Sequence, residues 1–216
     1  MASEPRRRLR YSVAASLDGF IAGPKGEYDW IVPDPSFDFG ALWNQFDTLL
    51  MGRRTYELAL TRFDSLEKMG KRVVVVSTTL DPARHPGVTI IRGDVPSAIA
   101  ALKATTAPNP NRNSGKDIWL MGGGVLFRSL LDAGLVDTVE LAVIPVLLGS
   151  GVPLVPEGLR HSLQLLEHRR YPNGCLSLIY SAAPQSAPHS PAPASKAKAA
   201  KSAPTIRSVQ AKRRKP

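Results

Sequence analysis

Val73-Val74-Val75-Val76, followed at once by Ser77-Thr78-Thr79, is the stretch on which the fold turns. Four β-branched residues with no polar alternate leave no face for water. They predict a short strand buried on both sides, as in a parallel sheet covered by helices. The same unit recurs outward from it. Upstream, Thr48 to Met51 reads as a strand and Thr55 to about Thr61 as a helix, with Gly52-Arg53-Arg54 between them. Downstream, Val88 to Ile91 is a strand, and Asp94 caps a helix with Val95, Ile99 and Leu102 on one side. Pro108 to Gly115 is a polar loop, Ile118 to Met121 a strand, and Gly122-Gly123-Gly124 opens a helix that ends near Gly134.

Nearer the start, Leu9 to Ala15 alternates apolar and polar residues. Asp34-Pro35 predicts a helix start, with Phe39, Leu42, Trp43 and Phe46 forming one stripe at helical spacing. Past Gly134 the pattern changes. Val136 to Ile144 alternates, with Val139, Leu141 and Val143 on one face, and Leu163–Arg170 and Cys175–Ser181 flank the hairpin signal Pro172-Asn173-Gly174. Strand-helix repeats followed by alternating strands predict an α/β fold. Its central sheet is mostly parallel and flanked by helices, with antiparallel strands at the C-terminal edge.

The chain has 216 residues, 43% of them hydrophobic, enough for one domain with a buried core. Its net charge of +10 suggests a nucleic-acid binder until its distribution is examined. Residues 183–216 hold Lys196, Lys198, Lys201, Arg207 and the run Lys212-Arg213-Arg214-Lys215, with no acid. The remainder is close to neutral, so total charge does not identify the partners of the fold. Residues 1–8 read as a flexible basic lead-in, 9–182 as the folded domain, and 183–216 as a disordered Ala/Pro/Ser/Lys tail too poor in large apolar residues to order itself. Nucleic acid is expected as a partner only through that tail, whose plainer role is a solubilising extension. The single Cys175 excludes an internal disulfide. No stretch resembles a signal peptide or reaches the roughly 20 apolar residues of a spanning helix. The expectation is a cytoplasmic protein with no membrane partner.

Three strand-end turns carry candidate chemistry. In Met51-Gly52-Arg53-Arg54-Thr55-Tyr56, the glycine admits a ligand to the backbone, amides at the helix start point at anions, and Arg53 and Thr55 add donors. In Met121-Gly122-Gly123-Gly124-Val125-Leu126, three costly glycines make sense where backbone approaches a diphosphate, or where packing demands a tight turn. Ser77 and Thr78 either hold a ribose or phosphate or cap the turn. One sheet would set all three along one cleft. His85, His161, His168 and His189 show no metal spacing, so no metal is assigned.

Ser16-Leu17-Asp18-Gly19-Phe20-Ile21-Ala22, the Met51–Tyr56 turn, Val76-Ser77-Thr78, Gly122-Gly123-Gly124 and Ile144-Pro145-Val146-Leu147-Leu148-Gly149-Ser150-Gly151 occur in order. Together they resemble the dihydrofolate-reductase superfamily, in the branch similar to the C-terminal reductase domain of the bifunctional riboflavin-biosynthesis deaminase/reductase. The resemblance spans about residues 9 to 182 and implies a dihydrofolate-reductase-like fold, NADPH as cofactor, a heterocyclic small-molecule substrate and a homodimer. The activity it implies is that of a 5-amino-6-(5-phosphoribosylamino)uracil reductase or a related pteridine or dihydrofolate reductase. By the same resemblance Gly52, Arg53 and Thr55 lie near the cofactor phosphates, and Ser77 and Thr78 on the adenosine side. Gly122, Gly123, Gly124 and Val125 underlie the diphosphate, and Ala14, Ile21 and Ala22 border the nicotinamide. Asp18 fits the loop acid of Ser-Leu-Asp-Gly.

Two positions depart from the family. Ser12 stands where the riboflavin reductases carry a lysine. No acid matches the pterin-facing carboxylate of the dihydrofolate reductases outright; Asp38 is the candidate proton donor, with helix-start stabilisation as its other role. Trp30, Trp43 and Phe46 either stack on a flat substrate or pack in the core. The alternative function is a nucleotide-binding protein of the same fold without turnover.

Overall fold

The computed structural model describes residues 7–61, 63, 66–105 and 115–182. The valine run lies in β4 (Arg72–Val76), where Val73, Val74 and Val75 are buried, as a strand covered on both faces must be. Around it the chain forms β1 (Leu9–Ser16), β2 (Phe20–Ala22), α1 (Phe39–Trp43), β3 (Phe46–Gly52), α2 (Arg53–Leu60), β5 (Val88–Ile91), α3 (Val95–Ala104), β6 (Asp117–Leu120), α4 (Gly124–Asp132), β7 (Thr138–Ile144), β8 (Val152–Pro153), β9 (Gln164–Arg170) and β10 (Leu176–Ser181).

Eight strands make one sheet in the order β5-β4-β3-β6-β1-β7-β10-β9. β5 through β7 run parallel, whereas β10 is antiparallel to both β7 and β9. The α/β class, the parallel centre and the antiparallel C-terminal edge are therefore those expected from the sequence. The hairpin turns at Gly174, whose φ of +87° suits a residue without Cβ.

Two apolar layers cover the sheet. On one face Leu9, Tyr11, Leu50, Val74 and Ile118 pack against Ile99 of α3 and Phe127 and Leu130 of α4. Each fully buried aliphatic side chain contributes about 2 kcal/mol. Tyr11 and Phe127 stack with ring centroids 3.8 Å apart. On the other face Leu49, Met51, Val73 and Val75 pack with Tyr56 and with an aromatic group in which Trp43 and Phe46 meet Trp119. That layer stops at β6. Beyond it, Ala14, Ala142 and Ile144 at the ends of β1 and β7 pack with Trp30, Phe37 and Tyr171, and the rest of that face lines a cleft.

The first helix departs from its expected form. Asp34 does not cap it. Oδ1 of Asp34 accepts from the amide and hydroxyl of Ser36, and Oδ2 accepts from the amide of Asn173 in the hairpin turn, so Asp34 joins two distant loops. The cap is Asp38, and α1 spans only five residues, with Gly40 inside it and Asn44 at its end. Phe46 opens β3 instead of continuing the stripe, and Lys71 Nζ donates to the carbonyls of Trp43 and Phe46 where helix gives way to strand. The pairing of β2 with β8 was also unforeseen.

Arg7 and Arg8, assigned from sequence to the lead-in, are held by the fold: Arg7 bonds Asp47, Thr48 and the Lys116 carbonyl, and Arg8 bonds Asp117. Residues 1–6, most of the loop assigned to 108–115, and the tail 183–216 lie outside the described residues. No helix among the described residues is long and apolar enough to cross a membrane.

Candidate active site

The three turns follow three adjacent parallel strands, so they meet at one end of the sheet. Register pairs Gly52 with Val76 across β3 and β4, and Leu50 with Leu120 across β3 and β6. Ser77, Gly52 and Gly122 therefore stand side by side on the rim where α2 and α4 begin, and the N-caps of those helices are Gly52 and Gly123. A Cβ on Gly122 or Gly123 would lie 3.7 Å from Thr55 Oγ1, and one on Gly123 would lie 3.9 Å from the Gly52 amide nitrogen. The two helix starts thus face each other across a space that a side chain at Gly123 would fill. Helix-start amides of this kind are a ready anion site.

The glycines have different jobs. Gly122 (φ +148°) and Gly123 (φ +91°) adopt backbone that other residues rarely take. Gly124 is needed for packing, because a Cβ there would stand 3.1 Å from Pro156 Cδ and 3.2 Å from the Pro153 carbonyl oxygen. Around the rim, Thr55 is half-buried, Val125 is exposed on the first turn of α4, and Arg53 pairs at the surface with Glu57 (2.9 Å). Ser77 is buried, and its Oγ accepts from the amides of Thr79 and Leu80, which commits it to the turn; Thr78 beside it is exposed. These placements fit a dinucleotide whose phosphates lie between Gly52–Thr55 and Gly122–Val125.

β1 outruns β6. Their last pair is Tyr11 with Leu120, and Ser12 to Ser16 continue past the glycine turn. This carries Ala14 to the junction between rim and cleft. The following loop is tied down by Asp18, whose carboxylate accepts from Ser16 Oγ (2.6 Å) and from the amides of Leu148 (3.0 Å) and Gly149 (2.7 Å). Those bonds, the Ser16 hydroxyl first, hold the Asp18 carboxyl below its ordinary pKa. Ile21 is half-buried in the short β2–β8 sheet, and Ala22 passes so near Gly151 that a side chain there would strike its carbonyl oxygen.

The cleft has a volume of about 650 Å³, within the usual range for small-ligand sites. Ala14 and Ala142 contribute only methyl groups to its floor, and Asp38 stands in its wall, where Oδ1 accepts from the Ala41 amide (2.8 Å) and so caps α1. The floor carries charges that the strand alternation assigned to an unremarkable polar face. Arg10 donates Nε to Glu140 Oε1 (2.6 Å), Nη2 to Glu140 Oε2 (2.8 Å) and Nη1 to Gln45 Oε1 (2.6 Å). Glu140 also accepts from Thr138 Oγ1 (2.8 Å). The clue in the sequence was Glu140 itself, at an alternate position between Val139 and Leu141 and opposite Ser12. Ser12 brings no charge, and its carbonyl accepts from Trp119 Nε1 (2.8 Å). Asp34 and Cys175 close one end. Hydrogen bonds from the Ser36 hydroxyl and then from the Ser36 and Asn173 amides keep the Asp34 carboxyl low, whereas burial and then the Asp34 charge push the Cys175 thiol up. No group of residues suited to a metal ion occurs among the described residues.

Known proteins share this arrangement. The family model of the RibD C-terminal domain matches residues 7–177. The uncharacterised protein YyaP of Bacillus subtilis (strain 168) is 32% identical over 187 residues, covering 81% of this chain and 95% of its own. A solved structure of a protein assigned to riboflavin biosynthesis from Shewanella sp. PV-4 is 30% identical with a TM-score of 0.66, covering 81% of this chain and 98% of its own. The dihydrofolate reductase from Enterococcus faecalis, solved as a complex with NADP(H) and RAB-propyl, has the same fold at 18% identity, with a TM-score of 0.53 and coverage of 81% and 95%. The α/β sheet with its paired glycine turns is thus the dihydrofolate-reductase-like fold, and the chain belongs to the RibD C-terminal domain family.

Proposed function

We propose that the chain is an NADPH-dependent reductase acting on a pyrimidine or pteridine ring. The observation that supports this reading is the approach of two helix starts across Gly52 and Gly123, which brings the Gly52 amide and the Thr55 hydroxyl to the space that a side chain at Gly123 would fill. Gly52, Arg53 and Thr55 would hold one side of the diphosphate, and Gly122, Gly123 and the start of α4 the other. Arg53 and Arg54 favour the phosphorylated dinucleotide over NADH. Bound there, reduced nicotinamide supplies a hydride equivalent to the ring.

The chain's own part is positioning and proton supply. The Asp18 clamp fixes the loop beside Ala14, and the small Ala14 and Ala142 side chains leave room for a flat ring against β1 and β7. We assign Asp38 to proton delivery, directly or through a bridging water. Asp38→Asn separates this role from capping, because an amide oxygen still accepts from Ala41 while the acid is gone. A fall in kcat with an unchanged melting temperature identifies the proton donor; unchanged kcat removes the assignment.

The test of the function is an NADPH binding titration followed by loss of NADPH absorbance across pterin, dihydrofolate and ribosylaminopyrimidine substrates. Oxidation dependent on one of these ring classes is the expected result. Binding without oxidation across the whole panel would leave a nucleotide-binding protein, and no binding would remove both.

A further inference from the structure

Cross-strand register sorts the floor of the cleft into two rows. Ala14 pairs with Ala142, Ala142 with Ser177, and Ser177 with Arg169, and all four residues line the cleft. The neighbouring row runs Ser12, Glu140, Ile179, Glu167, and there Arg10 grips both oxygens of Glu140. The first row carries a single charge, the guanidinium of Arg169 at its outer end. That guanidinium lies over the Tyr171 ring, 4.8 Å from the centroid, and Tyr171 is itself buried edge-on against Phe37. Asp34 closes the same end of the cleft, but it is buried, with one oxygen taken by Ser36 and the other by the Asn173 amide. Arg169 is exposed, and among the described residues its five N–H donors have no protein acceptor.

A guanidinium offers a planar fork that matches two oxygens of a carboxylate or phosphate at once. Stacking on a buried ring holds that fork in place, so less freedom is lost when an anion binds. Three strand spacings separate Arg169 from Ala14, about 14 Å between Cα atoms. An anion at Arg169 is therefore carried on an arm of the substrate and not on a ring lying over Ala14. Resting on the reading of this cleft as the substrate half of a reductase site, we propose that Arg169 is a specificity-determining residue. It binds a carboxylate or phosphate at the end of an arm, while the heterocycle lies over Ala14 and Ala142. The short side chains of Ala142 and Ser177 leave the arm a path along the row, and Glu167 on the other row repels an anionic arm towards it.

The test is steady-state NADPH oxidation by the full chain and by Arg169→Gln with two substrate pairs that differ in the arm. One pair is 5-amino-6-(ribosylamino)uracil with and without its 5′-phosphate; the other is dihydrofolate and dihydrobiopterin, whose arm has no carboxylate. The native chain is expected to favour the anionic member of one pair, and which pair it is tells phosphate from carboxylate. Arg169→Gln, at an exposed strand position, should raise KM for that member at least about tenfold and leave the melting temperature unchanged. Its kcat, and both constants for the uncharged member, should stay within about twofold of native. Arg169→Lys recovers part of the loss, and raised salt narrows the native preference. Equal effects on both members, no effect on either, or a native preference for the uncharged members overturns the role of Arg169 and leaves the reductase reading standing. No NADPH oxidation with any of these substrates removes that reading and the role of Arg169 with it.

Discussion

The Asp18 carboxylate and the Gly149 amide, 131 residues apart, meet at 2.7 Å, and this bond joins the loop after β1 to the loop after β7. Together with the Leu148 amide and the Ser16 hydroxyl it fixes the chain that borders the junction of rim and cleft. Because the folded carboxyl has a depressed pKa, the clamp is complete above about pH 4 and is lost as pH falls through the lower folded value. Hydrogen-exchange protection of the Leu148 and Gly149 amides, taken relative to the intrinsic rate at each pH, should therefore be high at neutral pH and fall in acid. Asp18→Ala should show low protection at every pH and lose kcat/KM. Unchanged protection in that variant would mean the loops hold each other without it.

Arg10 and Glu140 form the buried pair in the cleft floor. Glu140→Ala leaves a largely buried guanidinium short of its bidentate partner and is expected to cost about 3 kcal/mol in urea unfolding. The double change Arg10→Met with Glu140→Leu should cost clearly less than the two single changes added together. Additive costs would show that the two side chains act independently.

Much of the scaffold was legible because its signals are local. Four valines need two covered faces, Asp94 caps α3 through Ser97, and Asn173-Gly174 turns the hairpin. The rim was legible for the same reason, since each turn directly follows its own strand. The cleft was not. Arg10 and Glu140 are 130 residues apart, and Asp34 and Asn173 are 139 apart, so no periodicity relates them. Asp34-Pro35 carries a genuine capping signal, yet its carboxylate is taken by Ser36 and Asn173, and the helix starts at the next acid, Asp38. The alternation of β7 correctly separated its faces but gave no sign that the polar one lines a cavity.

Ser77 separates a turn role from a ligand role. Its hydroxyl accepts from two amides, so Ser77→Ala should cost about 1 kcal/mol in stability and change NADPH affinity little. Thr78→Ala, at the exposed neighbour, should do the reverse. Denaturation midpoints and nucleotide titrations on both variants decide it, and a large affinity loss confined to Ser77→Ala would contradict the assignment.

We propose that a second copy of the chain docks at the β9 edge of the sheet. All seven residues of β9 are exposed, Leu165 and Leu166 among them, and β9 is the last strand of the sheet. A second copy docking there would cover both. Sedimentation should give a dimer for the native chain and a monomer for Leu165→Lys with Leu166→Lys; a dimer in both would place the interface elsewhere.

The central claim is that backbone at two helix starts, Gly52–Thr55 and Gly122–Val125, holds the negative groups of a dinucleotide. Amide chemical shifts followed through an NADPH titration test it most directly, with Gly123→Asp alongside. The account predicts the largest shifts at those two turns, and their disappearance together with measurable binding in Gly123→Asp, where a carboxylate enters the space beside Thr55. Shifts confined to other parts of the chain, or undiminished affinity in a folded Gly123→Asp protein, would contradict it.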